Sequence, residues 1–217
     1  MLVRRFQAFR RNKRAYISLW VFGILCILSF GADFIANDKP LFVYYKGEGY
    51  FPIFKVYPET TFGGDFLSEA NYGDSYLQDL IKQEGFMIMP LIPYSYDSVI
   101  YSLSSPPPTP PNSKNYLGTD DLGRDVVARL LYGLKTSILF GLILTALSSI
   151  IGFIVGAISG YYGGKIDLLG QRFIEIWSGM PILFILIILS SLLEPNFWTI
   201  LCVVLFFSWI TLVPFVR

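Results

Sequence analysis

Four stretches of the 217-residue chain carry no charged residue: Ala15 to Ala32, Thr136 to Gly164, Ile176 to Leu193, and Asn196 to Val216. A helix needs ~18–20 apolar residues to cross the hydrocarbon of a bilayer. Each stretch approaches or exceeds that length, so the sequence predicts an all-α membrane protein with four transmembrane helices. The second stretch is long enough to include its exit turn, which places its helix over about 136–160. Composition agrees, with 53% hydrophobic and only 15% charged residues, well away from an ordinary soluble domain.

Charge distribution sets the topology. Arg4, Arg5, Arg10, Arg11, Lys13 and Arg14 precede the first span, and the first acid is Asp33. The positive-inside rule then puts the N-terminus in the cytoplasm. The segment 37–115 falls outside, and it has more Asp and Glu than Lys and no Arg. Lys165 and Arg172 lie in the next inward loop, Glu194-Pro195-Asn196 in the next outward one, and Arg217 inside. The first span also has the shape of a signal peptide. Its apolar run is long for a signal core, however, and no clear small-x-small site precedes Asp33. Cys26 and Cys202 both fall inside spans, which points to small packing residues rather than a disulfide or metal site.

The segment 37–115 is too long for a plain connection. It is rich in aromatics, including Phe42, Tyr44, Tyr45, Tyr50, Phe51, Phe54, Tyr57 and Phe62, a composition that favours folding over disorder. Alternation predicts short strands at 42–45 and 50–57, broken by Gly47, Gly49 and Pro52. A short helix is expected over 74–83, and the prolines of 106–111 read as a stiff extended spacer. This mixed insertion is either a docking surface for a soluble binding protein, or a lid over the pore mouth, or a cap packed on its own external helices.

The joint between insertion and core reads NYLGTDDLGRDVVARLLYG, Asn115 to Gly133. Gly118 permits a tight turn, and Thr119 or Asp120 can cap a following helix. Asp121 and Asp125 suit the positive end of that helix, and Asp125 and Arg129 have the spacing of a helical ion pair. Val126, Val127, Leu130, Leu131 and Leu134 form one apolar stripe, as in a helix lying along a membrane surface.

These residues also carry a resemblance. The string LGTDDLGRDVVARLLYG, with Gly118, Thr119, Asp120, Asp121, Gly123, Arg124, Asp125 and Arg129, resembles the segment preceding the core domain in permease subunits of dipeptide and oligopeptide ABC importers. IANDKPLFVYYKGEGYFPIFKVYPETTFGGDF (35–66) and GYYGGKIDLLGQRFIEIWSGMPILFILIILSSLLEPNFW (160–198) resemble the microcin C-type peptide permeases, so the likeness runs along nearly the whole chain. It implies part of a type I ABC importer permease fold in the bacterial inner membrane, arranged as four regions. These are a basic N-terminus and first helix (1–36), the external insertion (37–115), an interfacial amphipathic helix (116–135) and a partial core with helices two to four (136–217). Implied partners are a second homologous permease, separate ABC ATPase subunits that use the ATP, a periplasmic peptide-binding protein and the lipid bilayer. Related permeases continue past the equivalent of Arg217 into a coupling loop that docks on the ATPase, followed by two more spans. A C-terminally truncated chain is therefore expected to lack that coupling.

Within the spans, Gly152, Gly156 and Gly160 form a GxxxGxxxG face for close helix approach, with Ser148 and Ser149 one turn earlier. Tyr161-Tyr162-Gly163-Gly164 marks a turn with interfacial aromatics, and Lys165 and Asp167 read as solvated turn charges. Glu175 is expected at a helix N-terminus. Ser178, Gly179 and Pro181 predict a kink, either shaping the bundle or lining a substrate path. No ionisable group sits mid-span, which argues against ion-coupled carriage. No catalytic, metal or cofactor site is expected. The chain has no histidine, hence no HExxH motif or His-based triad, and it has no phosphate-binding GxxxxGK[ST] loop. The basic N-terminal cluster fits topology and anionic lipid rather than nucleic acid. A reading of a different class is a four-span membrane interaction or sensor protein whose external element binds a ligand or partner.

Overall fold

The structure is a computed structural model describing residues 9–103, 105–194 and 196–217. Arg4, Arg5 and Pro195, used above for topology, lie outside the described residues. The chain divides into two compact units, residues 1–136 and 137–217.

In the first unit, helix α1 (Lys13–Phe30) is capped by the Asn12 side chain, which accepts from the Ala15 amide at 3.3 Å. A single turn, α2 (Ala32–Ile35), follows. The aromatic segment then folds around a three-stranded antiparallel sheet of order β2-β1-β3. Its strands are β1 (Phe42–Tyr45), β2 (Glu48–Tyr50) and β3 (Gly85–Ile88). Lys46 and Gly47, both with positive φ (50° and 86°), close the β1–β2 hairpin, the backbone sign that such tight hairpins require.

Val43 and Tyr45 point from β1 into a core centred on the fully buried Phe62. Tyr45, Tyr50, Tyr57 and Tyr72 meet the Phe62 ring edge-on at 5.3–6.2 Å, each pair contributing about 0.5–1.5 kcal/mol beyond its buried area. Helix α3 (Ser75–Glu84) closes this core with Leu77 and Ile81, which are four apart and so share a face. Its N-cap is Asp74, accepting from Tyr76 N at 3.0 Å. The Tyr72 hydroxyl is buried with no hydrogen-bond partner among the described residues, and burial pushes its phenol pKa up. Removing a buried unpaired hydroxyl relieves a desolvation cost. Tyr72→Phe is therefore expected to leave the melting temperature unchanged or raised, by about 1 kcal/mol in stability; a clear drop would show that the hydroxyl has a partner.

The sequence reading of this segment is correct for Phe42–Tyr45 and one residue early for α3. A strand over 50–57 does not form: only Tyr50 is in β2, and beyond it the chain turns, with Phe54 N donating to Phe51 O at 3.1 Å. The third strand is absent from the sequence reading, because GFMI has no polar-apolar alternation and pairs with β1, some forty residues earlier.

Helix α4 (Val126–Tyr162) is 37 residues long. Where a separate interfacial helix over 116–135 is expected, residues 116–125 form turns, and the rest is the start of α4. No proline or other breaker separates Gly133 from Thr136, so the helix propagates into the apolar run.

The second unit continues α4 and adds α5 (Gly164–Ser178), α6 (Ile182–Leu192) and α7 (Phe197–Ser208), then a 3-10 turn (Trp209–Leu212) and the short α8 (Val213–Val216). Ile174, Ile210 and Val213 are its buried core, with Val155, Trp177 and Trp209 packed around them. Among the described residues, three helical stretches are long and apolar enough to cross a membrane: Lys13–Phe30, Val126–Tyr162 and Phe197–Val216. A fourth arises if α5 and α6 act as one span, and that pair is bent by 65°. The expected third helix is thus two helices meeting at an angle.

Candidate functional site

The joint motif closes a compact polar knot in the first unit. Gly118, at φ +74°, lies so close to the strap before it that an added Cβ would sit 2.2 Å from the Thr109 carbonyl oxygen. Only glycine satisfies both demands. Thr119 N donates to that same carbonyl at 3.1 Å, and the Thr109 amide donates to the Thr119 hydroxyl at 3.0 Å. The proline-rich segment expected to act as a spacer is therefore pinned back onto the motif.

Asp125, not Thr119 or Asp120, caps the helix. It is fully buried, its Oδ1 accepts from the Ala128 amide at 2.8 Å, and its Oδ2 accepts from the Asn115 side-chain amide at 2.8 Å. Asp120 organises the preceding turn. Its Oδ1 accepts from the amides of Leu122 (3.0 Å) and Arg124 (2.9 Å). Its Oδ2 accepts from Arg124 Nε at 2.9 Å and Nη2 at 2.7 Å, and also from Arg129 Nη1. The expected Asp125–Arg129 pair is thus replaced by Asp120–Arg129, because Asp125 is turned inward to the cap. Gly123 takes φ +77° to complete the turn, and Asp121 remains exposed.

Burial alone would favour the neutral form of Asp120. The hydrogen bonds from the Arg124 side chain and the Arg124 and Leu122 amides outweigh it, holding the carboxyl down at about 2. An unperturbed Asp titrates near ~3.9, so in falling pH the unfolded chain binds the proton first. The stabilisation from Asp120 is complete above about pH 4 and is lost as pH falls through about 2. Thermal unfolding in detergent between pH 5 and 2 should therefore show an acid-side loss that Asp120→Asn flattens. An unchanged profile in the variant would contradict the assignment.

The knot also holds the aromatic segment against the start of α4. Ala36, Ile92 and Ala128 are buried together, flanked by Tyr94, Val127, Leu131 and Tyr132. Asn37 N donates to Ile92 O at 3.1 Å, Ile92 N to Ile35 O at 2.9 Å, and Lys135 pairs with Asp33. Sequence reasoning missed Asn115, Thr109 and the Asp33–Lys135 pair as participants. Their partners lie ten residues or more away, beyond any helical or turn spacing. A cavity of about 490 Å3 beside α2 is lined by Asp33, Asp38, Asp97, Lys39, Phe34 and Tyr96 among others. No group of His, Cys, Asp and Glu among the described residues could hold a metal ion.

In the second unit, the three glycines of α4 meet the end of the chain. A Cβ on Gly152 would lie 2.6 Å from Trp209 O, one on Gly156 2.8 Å from Val216 Cβ, and one on Gly160 2.8 Å from Arg217 O. Asp167 pairs with Arg217 rather than standing free in a turn. Glu175 is in the last turn of α5, not at a helix start, and pairs with Arg172 at 2.6 Å. Ser178 ends α5, Gly179 is its C-cap and Pro181 the N-cap of α6, so all three lie at the 65° bend. Proline has no amide to donate and fits a position where the helical ladder is already interrupted.

These geometries are those of a membrane scaffold with one polar joint, and comparison with known proteins gives its kinship. Residues 2–48 match the N-terminal TM domain of oligopeptide transport permease C. The chain is 49% identical over 213 residues to the inner membrane ABC transporter permease protein YejE of Escherichia coli (strain K12), covering 98% of this chain and 62% of that protein. Along nearly its whole length the chain is similar to permeases of ABC transporters. A second relative, the peptidoglycan transport system permease protein YejE of Agrobacterium fabrum, is 45% identical over 238 residues, with 99% of this chain and 62% of that protein covered. The oligopeptide transport system permease protein OppC of Haemophilus influenzae is 38% identical over 125 residues, 58% of this chain and 40% of that protein. The chain thus spans 62% of the length of the first two relatives.

Proposed function

We propose that this chain is a membrane-spanning permease subunit, or the N-terminal fragment of one, of an ATP-driven ABC importer for peptides or peptide-like compounds in a bacterial inner membrane. The observation that carries the reading is the 49% identity extending over 98% of the chain, insertion and spans included. In this reading α1, α4, the bent α5–α6 pair and the stretch 197–216 cross the bilayer, with the N-terminus cytoplasmic and the aromatic segment outside. The knot at 115–125 fixes that segment on α4, and the bend at Ser178, Gly179 and Pro181 faces the substrate path. The chain performs no chemistry itself. ATP is used by separate ATPase subunits, a second homologous permease completes the pathway, and a periplasmic peptide-binding protein delivers cargo.

The test is co-expression of the tagged chain with the ATPase and second permease subunits of such an importer from the same organism. Purification in mild detergent should recover all of them in fixed ratio. Recovery of this chain alone would sink the reading and favour a free-standing membrane sensor built on the aromatic segment.

A further inference from the structure

The three-stranded sheet buries only one of its faces. Phe42 pairs across strands with Ile88, and Tyr44 with Phe86, so all four project away from the core side marked by Val43 and Tyr45. Tyr44, Phe86 and Ile88 are 40%, 51% and 49% exposed. Their rings are ordered against one another: Tyr44 stacks on Phe86 at 5.7 Å, and Phe42 contacts Phe86 at 6.1 Å and Phe51 at 5.2 Å. Gly49, opposite Tyr44 in the register, leaves room for Phe42, whose ring would be 3.1 Å from a Cβ placed there. None of these face residues is charged.

The patch continues to the membrane helix. Phe51 starts the turn whose end is Phe54, and Phe54 meets Phe34 edge-on at 6.0 Å. Phe34 is four residues beyond Phe30, the last residue of α1. Phe30, Phe34, Phe54 and Phe51 are 50%, 48%, 74% and 51% exposed. Exposed rings therefore run from the end of an apolar helix, through one turn, onto the open face of the sheet. An 18-residue helix rises about 27 Å, close to the ~30 Å hydrocarbon thickness, so Phe30 and Phe34 emerge at the headgroup boundary. Tyr rings concentrate there, and Phe is among the side chains that membrane-surface elements bury at the headgroup boundary.

We propose that the outer face of the sheet, Phe42, Tyr44, Phe86 and Ile88 with Phe51 and Phe54, rests in the lipid headgroup layer and holds the aromatic segment down on the membrane. The inference rests on reading α1 as a membrane helix. It is tested with the full chain in nanodiscs of phosphatidylethanolamine and phosphatidylglycerol, with Cys26→Ala and Cys202→Ala as background. Single spin labels are placed through Tyr44→Cys, Phe51→Cys and Phe86→Cys, with Ile24→Cys in α1 and Asp79→Cys on α3 as references. Relaxation by oxygen is expected to exceed relaxation by a water-soluble nickel chelate at the three sheet and turn sites and at Ile24, with the reverse at Asp79. Nickel accessibility at the three sites with Ile24 in lipid overturns the proposal alone. So does exclusion of both reagents, which would mean a protein surface covers the face. Nickel accessibility at Ile24 overturns the membrane-helix reading and the proposal together.

Discussion

An Asp125→Ala variant is expected to be less stable than the parent by about 3 kcal/mol, combining a lost helix cap with buried amide donors left unpaired. Asp125 is fully buried, and both its oxygens are committed: one to the Ala128 amide, the other to Asn115. Alanine would free the first turn of α4 and strand the Asn115 amide, which is itself buried. Asp125→Asn is the sharper probe. It keeps an acceptor for Ala128 but turns a second amide donor toward Asn115. Adding Asn115→Asp to it reverses donor and acceptor and should recover much of the loss, a coupling on the order of 1–3 kcal/mol. Denaturant titration of Asp125→Ala and of the cycle of parent, Asp125→Asn, Asn115→Asp and the double variant, followed by circular dichroism and by protease resistance of the 37–115 segment, checks this. Equal, additive losses would mean the two side chains do not act as a pair.

The second large effect lies in the glycine face of α4. Gly156→Leu should destabilise the second unit by about 2–3 kcal/mol through overpacking, because Val213 O and Val216 Cβ are 3.0 and 2.8 Å from the new Cβ. Backbone cannot yield as a side-chain tip would. Gly152→Leu meets Trp209 O at 2.6 Å and should behave alike. Gly141, in the same helix, would bring its Cβ within 4 Å of nothing outside the local helix backbone, so Gly141→Leu is the internal control and should be at least as stable as the parent. Unfolding in mixed detergent micelles ranks the three. A Gly141 variant as damaged as the Gly156 one would mean that close approach does not explain the loss, because leucine is the better helix former and propensity alone would stabilise both variants.

What could be read from the sequence follows the range of the interactions. The apolar runs, the glycine face and the break at Pro181 are local patterns, and the structure places a helix, a close approach and a 65° bend at those positions. The strand Phe42–Tyr45 was legible from alternation, whereas Gly85–Ile88 was not, since its pairing to β1 is a long-range contact. At the joint, residue types were read correctly but partners were not. Asp125 and Arg129 have ideal helical spacing, yet a buried cap competes for the carboxylate, and Asp120 takes both arginines. Asp167 and Glu175 failed for a similar reason. Only Gly163 separates α4 from α5, which begins at Gly164 and carries both acids inside a helix.

The central claim is that this chain is a working part of a peptide importer, and proteoliposome uptake tests it most directly. The chain is reconstituted with the ATPase, second permease and binding protein that the proposed function assigns to it, and accumulation of a labelled oligopeptide is followed with and without ATP. Accumulation that needs both ATP and this chain, and that falls in the Gly156→Leu variant, is the predicted result. Uptake of equal extent when the chain is left out would contradict the account.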